Sequence, residues 1–249
     1  MLGLFLRTRL RRLVALLGFA LLFVIAGLTA RAMVGTEDGH VEMGALFLVG
    51  GYPLVSTLLL LGWLLGRYPL IATLTLVAGI VSEDRVTGMS RLYAVRPTSL
   101  ARIYLVRFSA VALITFVVSA LLLPLFDVVM LGTWAGYATL ILIISYIAVY
   151  GSLCFLLSIW LRNDVWLTLG LAILAMIWDA LLRAGALGNA PPGIREVVAI
   201  VLPPQGALFQ LESAFGAVQP VPWGAFAYVM AYAAILIGAA AISLRIREY

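Results

Sequence analysis

Six long apolar runs follow one another along the chain, at residues 13–30, 44–81, 103–130, 134–161, 165–182 and 223–244. A run of about 20 apolar residues, wound as a helix, crosses the ~30 Å hydrocarbon core of a bilayer. Lipid offers nothing to which a backbone N–H or C=O can bond, and a helix satisfies those groups within itself. Composition agrees with a membrane fold, since 64% of the 249 residues are apolar and only 11% are charged. An ordinary soluble domain carries about 25% charged residues and needs them to cover its surface. The expected fold is all-α and polytopic, with six transmembrane helices in a single domain over residues 1–249.

The boundaries differ in sharpness. The first run lies between Arg11-Arg12 and Arg31. A signal peptide cleaved near Ala30-Arg31-Ala32 is the rival reading, but the run exceeds the usual apolar core of about 7–15 residues and further spans follow. Residues 44–81 are apolar throughout apart from Arg67. They read as one tilted or kinked helix from about Tyr52 to Val81. Two spans turning at Gly66-Arg67-Tyr68-Pro69 is the alternative, and it would invert everything downstream. Leu161-Arg162-Asn163-Asp164 is a tight turn. Residues 185–222 form a connection rich in Pro and Gly, with apolar pieces at 194–202 and 206–215 that read as short outer re-entrant or interfacial helices.

Arginine sets the orientation. All 16 basic residues are Arg. With six spans, one side receives 12 of them and the other receives Arg31, Arg183 and Arg195, with Arg67 in the membrane. The positive-inside rule then places both termini in the cytoplasm, with the chain multi-pass in the cytoplasmic (inner) membrane and lipid as its surroundings. The formal charge of +5 implies no nucleic-acid partner, because the arginines cluster at segment ends rather than in a basic domain. At the start, residues 1–12 put Leu2, Phe5, Leu6 and Leu10 on one helical face and Arg7 and Arg11 opposite, as in a short amphipathic helix on the membrane surface. Arg9 falls on the apolar side and spoils the pattern.

Several classes of chemistry are excluded or disfavoured. One Cys (Cys154) and one His (His40) leave no disulfide framework and no metal site built on several Cys or His ligands. No catalytic residues are assigned: no Gly-x-Ser-x-Gly element and no recurring acid pair appear, and His40 lies in an outer loop. The glycine loop with Lys that cradles nucleotide phosphates is missing, so no nucleotide cofactor is expected on the chain itself. A membrane-embedded enzyme is therefore disfavoured, and a transport subunit or a non-catalytic assembly protein remains.

The segment 82–98 is the most charged. Glu83 and Asp84 come first and Arg85, Arg91 and Arg96 later, which suits the dipole of a short helix. Ser82 stands where a cap would. Val86, Met89 and Tyr93 recur at helical spacing, and Pro97 stops the helix. A short amphipathic helix between two spans suits a groove on a cytoplasmic partner. A solvated topology loop is the plainer reading.

This stretch resembles the cytoplasmic loop of the membrane subunits of type-2 ABC exporters. Asp84-Arg85, Gly88, Leu92, Pro97 and Arg107 stand at the places of that pattern. The family often has Thr where this chain has Met89, and Lys where it has Arg107. Leu202-Pro203-Pro204-Gln205-Gly206-Ala207-Leu208-Phe209 is similar to a family segment that usually reads Asn-Pro. The resemblance implies a permease subunit whose coupling helix, with Glu83, Asp84, Arg85, Gly88, Met89, Leu92, Tyr93 and Pro97, seats in a separate cytoplasmic ATP-binding subunit. It implies a second permease copy or homologue, with ATP and Mg on the partner ATPase. Within the family, the branch serving nitrous-oxide reductase maturation is similar in two short places, Pro69-Leu70-Ile71 and Ile177-Trp178-Asp179-Ala180-Leu181-Leu182.

Ionisable residues inside spans are costly, about 2.5–3.5 kcal/mol at mid-bilayer, and so are candidates for a substrate path. Asp179 and Arg183, four apart on one helical face, read first as a structural pair. Arg67 reads first as an anchor at the outer interface and second as part of a vestibule for an anionic group.

Overall fold

The computed structural model describes residues 2–34, 67–89, 93, 99–131, 136–186, 192–216 and 220–246, and the statements below concern those residues. The outer loop with His40, the stretch 44–66, Leu92 and Pro97 lie outside them. The architecture is all-helical. In chain order the helices are α1 (Leu2–Val34), α2 (Tyr68–Val77), α3 (Ser82–Val86), α4 (Leu100–Leu131), α5 (Tyr137–Trp160), α6 (Asp164–Arg183), α7 (Pro192–Val201), α8 (Gln205–Gly216) and α9 (Trp223–Ile246).

Four of these, α4, α5, α6 and α9, are long and apolar enough to cross a membrane, so the protein is membrane-embedded. Their bounds match the apolar runs closely, because in an apolar medium the helix ends where the chain meets charge. The helix α5 is the central one: 67% of its apolar window is buried inside the protein, against 28% or less for the other three. Its neighbours keep apolar faces outward, with Leu113, Leu121, Ile173, Ile177, Ile235 and Ile242 exposed, as lipid contact requires. The core around α5 is aromatic, with Tyr68, Tyr104, Tyr146, Tyr150 and Phe155 fully buried. Phe108 stacks on Phe155 at 4.9 Å between ring centres.

Three expectations need correction. First, residues 1–12 are not a separate surface helix. The chain runs as one helix from Leu2 to Val34, and Arg9 is buried with Leu16 and Ala20. The arginine that spoiled the amphipathic pattern points into the protein. Second, no continuous helix runs through Arg67 to Val81. Arg67 has non-helical dihedrals, α2 starts behind it with Pro69 in its first turn, and α2 stops at Val77. Proline suits that first turn because its missing N–H has no intrahelical partner there. At 10 residues, α2 is about 15 Å long, half a bilayer.

Third, 82–98 is not one helix. The helix α3 has five residues, its N-cap is Val81 rather than Ser82, and Ser82 is buried. Gly79 and Gly88 bracket α3 with φ of +70° and +75°, a region that side chains with a Cβ avoid. Met89 and Tyr93 are again helical. Val86 is exposed while Tyr93 is 3% exposed, so the two do not form one apolar face.

The two short helices expected in the 185–222 connection form, as α7 and α8. Leu202, Pro203 and Pro204 make a buried turn between α7 and α8. Gln205, at the start of α8, meets Tyr150 of α5, and Glu212 meets Tyr146. Tyr146 and Tyr150 lie about 14 Å and about 20 Å from the Tyr137 end of a helix about 36 Å long. The hairpin therefore reaches partway along α5 and turns back.

Candidate functional site: a charged junction and a mid-depth ion pair

One end of the bundle is a junction of charged side chains around the loop 78–88. The last carbonyls of a helix have no intrahelical donor, and here arginines from α1 supply it for α2. Arg9 donates to Leu76 O at 3.2 Å and to Ala78 O. Arg12 donates to Thr75 O at 3.2 Å and Ala78 O at 2.8 Å. Cations at a helix C-terminus also oppose its dipole. Both arginines pair with Glu83, Arg9 at 3.3 Å. Burial, with Arg12 adding to it, lowers the Arg9 pKa to about 10 against the pull of Glu83, so it stays charged at neutral pH.

Two further ties hold the loop. The Gly79 N–H donates to the Asp164 carboxylate at 2.8 Å. Asp164 is buried in the first turn of α6, where a carboxylate is favoured by the helix dipole. Arg85 donates to Ile159 O at the end of α5, again serving an orphan carbonyl. A Cβ at Gly79 would run into the Glu83 side chain, which would have to shift from its pairing with Arg9 and Arg12.

On the α4 side, Asp84 pairs with Arg107 and accepts from the Tyr104 hydroxyl at 3.3 Å. The other limb of the Arg107 fork donates to the Tyr93 hydroxyl at 2.7 Å. The guanidinium also lies 4.8 Å from the Tyr93 ring centre and 5.6 Å from that of Tyr104. The loop is thus fastened to α1, α4, α5 and α6 together. Its outward face carries Val86 and Thr87, both exposed.

Of the residues read as partner-facing, Asp84 and Tyr93 point inward to Arg107, Glu83 points to α1, and Arg85 reaches α5. Gly88 sits at the break after α3, and Met89 packs against the core. Leu92 and Pro97 lie outside the described residues.

The second cluster lies at mid-depth. Arg67, Glu212 and Tyr146 form a closed triangle: Arg67 pairs with Glu212, Arg67 donates to the Tyr146 hydroxyl, and that hydroxyl donates to Glu212. One turn deeper, the Tyr150 hydroxyl donates to Gln205 Oε1 at 2.7 Å. Between the two tyrosines α5 widens into a π-helical turn, Ile147–Gly151. Tyr146 and Tyr150, four residues apart, lie on one side of α5 with rings stacked 5.9 Å apart.

Asp179 and Arg183 pair at 2.5 Å, as their spacing indicates. Arg183 also lies 3.6 Å over the ring of Phe209 on α8, so the pair fastens α6 to the hairpin. Apart from these polar clusters, an apolar groove of about 450 Å³ is lined by Phe108, Ala112, Phe116, Ile144, Ala148 and Ala233. Among the described residues no group of three or more His, Cys, Asp or Glu side chains is arranged to hold a metal.

Sequence reasoning missed Glu212, Tyr146, Gln205, Asp164, Gly79 and the inward role of Arg9. Only Arg9 left a signal: it shares the inward face of α1 with Leu13, Leu16 and Ala20 at helical spacing. Comparison with protein-family models, curated proteins and solved structures finds no match for this chain.

Proposed function

We propose that this membrane-embedded chain is the permease subunit of an ATP-driven transporter of the type-2 ABC exporter kind, driven through its loop by a separate cytoplasmic ATP-binding subunit. In this reading the chain crosses the inner membrane six times. The helix α1 and the stretch leading into α2 supply the two crossings beyond the four long apolar helices. Both termini and the loop 78–98 lie in the cytoplasm. Two such subunits work with two ATPases, which bind ATP and Mg.

The observation that carries the proposal is the fastening of the loop. A solvated topology loop needs no ties to the bundle. This loop is tied to four helices by Glu83, Asp84, Arg85 and Gly79, while Val86 and Thr87 stay exposed. A push on its outer face would reach α1, α2, α4 and the α5–α6 turn as one body. The concentration of arginine at this end supports the cytoplasmic placement.

Co-purification from the native host tests the reading. The detergent-solubilised, tagged chain is expected to bring down an ATPase. Gly88→Pro and Val86→Glu are expected to lose it while the bundle stays folded. If no ATPase accompanies the wild-type chain, the proposal fails and an assembly or scaffold role replaces it.

A further inference from the structure

The Arg67–Glu212 pair does not serve stability in any obvious way. Replacing a buried ion pair with apolar residues is often neutral or stabilising, because both charges must leave water. Charges packed among membrane-spanning helices are expensive in addition, and those that persist there mark substrate or ion paths. The same place carries a second costly feature, the π-turn Ile147–Gly151, a rare form of helix found mainly at functional sites. Two independent departures from an apolar, regular bundle thus adjoin at Tyr146, which immediately precedes the π-turn.

The two charges belong to different bodies. Glu212 rides on α8, the outgoing limb of the re-entrant hairpin. Arg67 caps the start of α2, and α2 ends in the loop junction held by Arg9, Arg12 and Asp164. Any motion of the hairpin against α2 separates Arg67 from its carboxylate. A guanidinium at that depth is stable only beside an anion or water. The hairpin and α2 therefore part at low cost when another carboxylate replaces that of Glu212.

We infer that Arg67, with the Tyr146 hydroxyl as second donor, is the binding site for a carboxylate group of the transported molecule, and that Glu212 is its resident place-holder. The resident ligand defines the chemistry: one guanidinium and one hydroxyl match one carboxylate and its single charge. The side chains of Arg67 and Glu212 keep 17% and 20% exposure, so the pair is not sealed within the bundle. Removing the internal competitor frees the site for an external one.

The inference rests on the transport reading, but its test needs no ATPase. The full chain in nanodiscs is titrated with oleate as a membrane-borne carboxylate, benzoate as a water-borne one, and oleyl alcohol as a neutral control. Glu212→Gln is expected to tighten oleate or benzoate at least tenfold and to leave oleyl alcohol unchanged. Which of the two carboxylates responds tells whether cargo arrives from lipid or from water. Arg67→Gln is expected to abolish saturable carboxylate binding. Should Arg67→Gln fail to fold, the charge-free pair Arg67→Gln with Glu212→Gln takes its place and is likewise expected not to bind. Unchanged affinity for both carboxylates in Glu212→Gln, or an equal gain for oleyl alcohol, overturns the inference. Failure to recover an ATPase with carboxylate binding intact would sink the transport reading and leave the site standing.

Discussion

Arg107 offers the sharpest perturbation of the junction. Its side chain is 5% exposed and that of Asp84 19%, so the pair is shielded from water. Removing one partner of a buried pair costs roughly 3–5 kcal/mol, because the other charge is left uncompensated. Asp84 keeps some water access and the Tyr104 hydroxyl, so Arg107→Met belongs at the lower end, about 3 kcal/mol. Asp84→Asn strands the guanidinium instead and costs a similar ~3 kcal/mol. The double variant leaves no unpaired charge, so its cost is expected near ~3 rather than ~6 kcal/mol. Arg107→Lys keeps the charge but loses the fork that holds Asp84 and Tyr93 together and the planar contact with both rings, at about 1–2 kcal/mol. Thermal unfolding in detergent reads this out at about 2–4 °C per kcal/mol for a chain of this size. Arg107→Met and Asp84→Asn should each fall by roughly 6–12 °C, Arg107→Lys by roughly 2–8 °C, and the double variant by no more than either of the first two. Additive losses in the double variant would show that Asp84 and Arg107 do not act as a pair, and the clamped-loop argument would fall with them.

Other consequences are open to simpler measurements. Gly79→Ala combines left-handed strain with a Cβ 2.4 Å from Glu83, whereas Gly88→Ala meets open space and costs only the strain of about 1–2 kcal/mol. The melting temperature should therefore drop more for Gly79→Ala, and equal drops would contradict the packing at Gly79. Cys154 is fully buried, so maleimide should label it in denaturing detergent and hardly at all in mild detergent. Rapid native labelling would mean that α5 is not the central helix. In a Cys154→Ala background, a membrane-impermeant maleimide added to intact cells should label Ala186→Cys and not Asn163→Cys. The reverse pattern would invert the proposed topology.

The four long apolar helices were legible because lipid makes the rule simple. Where Arg162 and Asn163 interrupt the apolar chain, a helix ends. The Asp179–Arg183 pair was legible because its spacing is local. What escaped was long-range or backbone in origin. Glu212 lies in a short, moderately apolar piece that reads as interfacial or re-entrant, and only the structure shows its pairing with the distant Arg67. The π-turn in α5 leaves no mark, since 134–161 is apolar with no Pro to betray a change of helical pitch. Asp164 looked like part of a polar turn, but its carboxylate is the acceptor for Gly79. The loop misled for a related reason. Its apolar periodicity suggested one helix, while Gly88 cuts it, and Asp84 and Tyr93 turn inward to an arginine on the next span.

The exposed tip of the clamped loop is where the account is most directly tested. A photo-crosslinking amino acid at Val86, introduced in the native host and activated in intact cells, would trap whatever touches that face. The account predicts a covalent adduct with a cytoplasmic polypeptide that carries a phosphate-binding glycine loop with Lys, formed at position 86 and absent at the buried position 93. Adducts only with lipid, or with a protein lacking any nucleotide-binding loop, would contradict it.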